Sequence, residues 1–85
     1  MVQYSHIIKN VDGLHARPAS KLAMLALKQP CSCFLQLGSQ RVDATRLMEI
    51  MGLPARQGDT LMVTCDGDNE QNALEQFIAV LDSQL

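Results

Sequence analysis

The sequence predicts a single α+β domain over residues 1–85: a sandwich with helices covering one face of a β-sheet and the other face left to solvent. Three observations predict it. Segments of period-two polarity alternate with segments of helical period, in the order β-α-β-β-α-β-α. Two of the strand-like segments are joined by a tight Gly38-Ser39 turn, which makes them a hairpin. A length of 85 residues leaves room for one core only, with a thin expected stability margin. No repeat, linker or low-complexity tract interrupts the pattern.

Each element has its own signal. Val2 to Ile8 reads as the first strand, with Val2, Tyr4, His6 and Ile8 in one phase, and Asn10-Val11-Asp12-Gly13 is turn chemistry that closes it. Pro18 suits the first turn of a helix, where its missing N–H is not needed. Ala19, Leu22, Ala23 and Ala26 then form a buried stripe of mostly small residues, and Gln29-Pro30 stops the helix. Cys31, Cys33, Leu35 and Leu37 alternate with Ser32, Phe34 and Gln36, as a half-buried strand does. Its hairpin partner covers about Gln40 to Asp43. Leu47 to Met51 predicts a brief helix ended by Gly52 and Pro54. After the Gln57-Gly58-Asp59 turn, Leu61, Val63 and Cys65 alternate again. Asp68, with Gln71 three residues on, predicts an N-cap for a last helix whose inner face is Ala73, Leu74, Phe77, Ile78 and Leu81.

Composition narrows the function classes. Hydrophobic residues make up 47% and charged residues 19%, too apolar for a disordered chain. With seven basic and nine acidic side chains there is no excess positive charge for nucleic acid, and 4% aromatics leave few platforms for base stacking. No apolar run approaches the ~20 residues of a membrane span, and the first ten residues lack the pattern of a signal peptide. A cytoplasmic protein is expected. Three cysteines agree, since secreted mini-domains pair theirs in even numbers.

The chemistry concentrates in Gly13-Leu14-His15-Ala16-Arg17-Pro18-Ala19-Ser20. A histidine at the start of a helix sits beside unpaired backbone N–H groups and the positive end of the helix dipole, both of which attract phosphate. Arg17 adds a fork of donors that matches phosphate oxygens. An imidazole nitrogen with a free lone pair is a nucleophile toward phosphorus. The plainer reading of such a histidine is a cap or a solvated surface residue. No carboxylate pair, metal cluster or base beside a nucleophile is readable, so an independent hydrolytic enzyme is not expected.

This octapeptide resembles the phosphorylation motif of HPr, the histidine-containing phosphocarrier of the bacterial phosphoenolpyruvate-dependent sugar phosphotransferase system. The order of elements, the Asp43-Ala44 pair, the Gln57-Gly58-Asp59 turn and the final helix extend the likeness over essentially the whole chain. The resemblance implies an HPr-like open-faced β-sandwich with a four-stranded antiparallel sheet. It implies that His15 takes a phosphoryl group on Nδ1 from enzyme I and passes it to an enzyme IIA domain, as a transfer intermediate. Arg17 and the backbone N–H groups around Ala16 and Arg17 would hold the phosphate. Ala16, Arg17, Ser20, Met24, Leu47, Met48 and Met51 would form one docking face shared by both partners. No cofactor or metal, no nucleic acid, no membrane insertion and a monomeric state are expected. Related carriers of a nitrogen-linked or dedicated phosphorelay share the same site chemistry, and a regulatory interaction protein is the alternative from another class.

Five features bear on the likeness. Many HPr proteins of low-GC Gram-positive bacteria open the short second helix with a regulatory serine. Here Arg46 stands there, without a hydroxyl, and Thr45 is a poor substitute. Methionines at helical spacing are more often core filler than surface, yet a short helix cannot bury every face, so exposure of Leu47 and Met48 is expected. His6 falls in the inward phase of the first strand and is expected to be hydrogen-bonded at the sheet end. Cys31 and Cys33 fall on one strand face, and Cys65 is expected near them. The trio hints at zinc, but without a fourth ligand it reads as core packing. Asp12 reads as a turn residue.

Overall fold

The computed structural model describes residues 1–85. Its elements are β1 (Val2–Ile7), α1 (Ala16–Leu27), β2 (Cys31–Leu37), β3 (Gln40–Asp43), α2 (Leu47–Met51), β4 (Thr60–Gly67) and α3 (Glu70–Gln84). The strands form one antiparallel sheet in the order β1-β4-β2-β3. Polarity could not fix that order, because the same alternation suits any neighbour.

Register explains the core. Val2, Tyr4 and His6 of β1 stand opposite Cys65, Val63 and Leu61 of β4, which in turn face Cys33, Leu35 and Leu37 of β2. Opposed residues share a sheet face, so these three rows make one apolar layer. Over it lie Ala19, Leu22, Ala23 and Ala26 of α1 and Ala73, Leu74, Phe77 and Leu81 of α3, all buried as the periodicity predicts. Small alanines let α1 pack closely against its neighbouring helices, while Phe77 and Leu22 supply bulk. Each fully buried side chain of that size contributes about 2 kcal/mol. Ile78 is half-buried, at the edge of the α3 stripe.

The other sheet face is open, as expected, though not bare. Arg41 lies 3.9 Å over the Phe34 ring. Thr64, flanked by Gln3 and Phe34 in the central strand, is buried and accepts a 3.4 Å hydrogen bond from Gln3 Nε2.

Two expectations fail. The α3 cap is Asn69, in the left-handed conformation and with no side-chain cap bond. Gly67 at φ +127° and Asn69 at φ +55° turn the chain so sharply that Asp68 never reaches the cap position. Glu70, the first helical residue, ties down the turn without capping the helix, accepting the Gly67 N–H at 3.2 Å and pairing with the N-terminal ammonium at 2.8 Å. His6 is buried at 3% exposure, but its Nε2 has no partner, and Nδ1 reaches only to 3.7 Å from Asp82. Asp82 keeps most of its side chain in water, too far out to make the expected hydrogen bond.

Candidate functional site around His15

His15 is the N-cap of α1, with extended backbone (φ −121°, ψ −171°), an exposed side chain and no cap hydrogen bond. Its carbonyl accepts the Ala19 N–H at 3.0 Å, which starts the helix. The N–H groups of Ala16 and Arg17 have no backbone partner, Pro18 has no N–H, and the first turn holds no acidic residue. The helix therefore presents free donors and the positive end of its dipole beside the imidazole. Arg17 is exposed and pairs with no carboxylate, so its guanidinium is free for an anion.

The loop that carries His15 is fixed from behind. Gly13 adopts φ +63°, and a Cβ there would sit 2.5 Å from the Ala55 carbonyl oxygen, so both the conformation and the space require glycine. That same oxygen accepts the Leu14 N–H at 3.0 Å. Asn10 Nδ2 donates to the Gly13 carbonyl at 2.9 Å and closes the turn. Asp12 is exposed at this turn and forms no ion pair. The segment after α2 thus braces the His15 loop.

The same bracing sets α2 beside α1, against which it packs. Ile50 is the buried anchor of α2, while Leu47, Met48 and Met51 are exposed, Met48 at 77%. On α1, Arg17, Ser20 and Met24 follow one another at three- and four-residue spacing and share a face; Ser20 is half-buried and Met24 is 59% exposed. Leu27 continues that face at 68% exposure, and Val11 is exposed in the site loop. Leu27 and Val11 stand outside the expected docking face, which ended on this helix at Met24. The spacing that links Arg17 to Met24 also predicts Leu27, whereas nothing in the sequence distinguishes Val11 from a packed turn residue.

Before α2, Asp43 accepts the Thr45 N–H at 2.9 Å and its hydroxyl at 2.7 Å. These bonds hold the Asp43 carboxyl below its ordinary range. Arg46 caps α2 with extended backbone and lies 3.5 Å from Glu49.

A three-helix, four-stranded open sandwich with a histidine at the N-cap of its first helix defines the class of HPr-like phosphocarriers. The family described as PTS HPr component phosphorylation site matches residues 2–83, and the chain belongs to it. Among curated relatives, the phosphocarrier protein HPr of Cupriavidus necator is 35% identical over 81 residues, 95% of this chain and 91% of that protein. DhaM of Providencia stuartii, the phosphoryl donor subunit of a PEP-dependent dihydroxyacetone kinase, is 39% identical over 71 residues. That match takes in 84% of this chain and only 15% of DhaM. HPr-C-His from Thermoanaerobacter tengcongensis superposes with a TM-score of 0.90 at 31% identity, covering 98% of this chain and 93% of that one. An HPr dimer from the same bacterium gives 0.77 at 31% identity, covering 99% and 97%. No helix is long and apolar enough to cross a membrane.

Proposed function

We propose that this chain accepts a phosphoryl group from enzyme I on Nδ1 of His15 and passes it to a histidine of an enzyme IIA domain. The carrying observation is the exposed, unbonded His15 imidazole beside the free N–H groups of Ala16 and Arg17. In the transfer, the Nδ1 lone pair forms the bond to phosphorus. The bond to the donor breaks, and its electron pair returns to the donor. Two backbone donors and the Arg17 guanidinium then share the phosphate charge. A solvated site holds that charge without burying it, so release to the next acceptor stays accessible. Ala16, Arg17, Ser20, Met24, Leu47, Met48 and Met51 receive both partners in turn, adaptable methionines suiting a surface with two clients. The protein works as a cytoplasmic monomer in this reading.

The DhaM match favours a second reading, a carrier dedicated to one donor and acceptor pair. Incubation with phosphoenolpyruvate and a general enzyme I, followed by intact-mass measurement before and after mild acid, separates the readings. The general carrier gains one acid-labile phosphate. A dedicated carrier gains it only from its own donor, and a chain that gains none from either donor is not a carrier.

A further inference from the structure

Far from His15, three cysteines converge. Cys33 of β2 stands opposite Cys65 of β4, and Cys31 lies two residues along β2 on the same face. The Sγ atoms of all three lie within 4.8 Å of one another, those of Cys31 and Cys33 at 3.9 Å. All three are free thiols, Cys33 and Cys65 buried and Cys31 half-buried at the start of its strand. This is the Gly67 end of β4, whereas the segment that braces His15 leads into the Thr60 end.

Packing accounts for two of these side chains, since small thiols fill a tight layer well. It does not require the third sulfur to close the triangle. Three sulfurs each ~2.3 Å from a central ion stand about 4 Å apart around a planar ion and about 3.5 Å apart around a pyramidal one, so a triangle with sides up to 4.8 Å closes on the ion by small side-chain rotations. Gly67 faces Cys31 across the strands, and a Cβ there would meet the Cys31 Cβ at 3.3 Å, so a small residue keeps this end of the triangle uncrowded.

We propose that Cys31, Cys33 and Cys65 form a three-sulfur site for one thiophilic, three-coordinate ion, As(III) in preference to Cu(I) or Zn(II). Coordination number disfavours Zn(II), which completes a tetrahedron in structural sites. The nearby Glu70 carboxylate is already occupied by the N-terminal ammonium and the Gly67 N–H. Charge separates the other two ions. Three thiolates around a monovalent ion leave the buried site doubly negative, and around a trivalent ion they leave it neutral. Binding of arsenite, As(OH)3, is a balanced exchange. Three S–H protons leave with three hydroxyls as water, three As–S bonds form, and no oxidation state changes. The ion would tie β2 to β4 at the end of the sheet remote from the candidate phosphorylation site.

The test is titration of the reduced protein with arsenite, Cu(I) and Zn(II), read by native mass spectrometry, thiol counting and arsenic X-ray absorption. One arsenic per chain, three sulfur neighbours and loss of all three reactive thiols are expected. Cys31→Ser, at a half-buried strand start, should keep the circular dichroism and melting temperature of the parent while lowering arsenite affinity about 100-fold. Cys65→Ser gives a second, independent ligand removal. Two-sulfur coordination, absence of binding at about 1 mM, unchanged affinity in Cys31→Ser, or tighter binding of Zn(II) or Cu(I) would overturn the proposal.

Discussion

His6 and His15 carry the same ring in opposite surroundings. His15 stands in water at a helix start with free donors around it. His6 lies under α3 at 3% exposure, with one nitrogen unpaired and the other 3.7 Å from Asp82. Residue type therefore says little about role. What distinguishes the first ring is access and the donors that a helix N-terminus leaves unbonded. A carrier needs its nucleophile where two large partners can reach it, and a core histidine cannot serve.

The sharpest break of this contrast is His15→Ala. It should abolish the acid-labile phosphate while changing stability by less than about 0.5 kcal/mol, because an exposed ring with no hydrogen bond leaves no cavity. A phosphorylated His15→Ala protein would move the acceptor elsewhere. Gly13→Ala attacks the brace rather than the ring. A left-handed alanine whose Cβ lies 2.5 Å from the Ala55 oxygen should lower stability by about 2 kcal/mol, seen in thermal melts. An unchanged melt would show that the brace is soft. Arg17→Glu should slow phosphoryl transfer roughly 10- to 100-fold with the fold intact, and equal rates would remove the guanidinium from the mechanism. Met48→Asp should weaken partner affinity about tenfold at unchanged stability, as checked by calorimetry. The smallest effect is on the buried ring. His6→Phe removes an unpaired buried nitrogen and should raise stability by about 1 kcal/mol without altering phosphate acceptance. A loss of acceptance would couple the two histidines.

The legible parts of this molecule are those set by periodicity. The buried stripes of α1 and α3, the inward rows of the strands and the brevity of α2 all follow from spacing, because each reflects contact with one apolar layer. Strand order was illegible, since alternation records which face is inward and not which strand is adjacent. The α3 start was misread because a left-handed turn at Gly67 and Asn69 carries its information in backbone dihedrals, while Asp68 and Gln71 merely have the spacing of a cap. The position of His15 and Arg17 at the start of α1 was legible through Pro18 and the helical period that follows it. The bracing of their loop by the Ala55 carbonyl was not, because a backbone oxygen leaves no trace in residue identity. The cysteine triangle was legible in part: alternation put Cys31 and Cys33 on one face with Cys65 expected near them, and register set Cys65 opposite Cys33.

The strand order β1-β4-β2-β3 has a consequence for how the chain is made. Val2 pairs with Cys65, so during synthesis β1 waits for β4 before it has a neighbour. Until β4 emerges, the β2–β3 hairpin is the sole local strand pairing, and both inner edges stay open. At about 5–20 residues per second, that wait lasts several seconds, during which the apolar rows of β1 and β2 are uncovered. Folding is thus gated by the emergence of β4, whose closure between its two partners is the step that commits the domain.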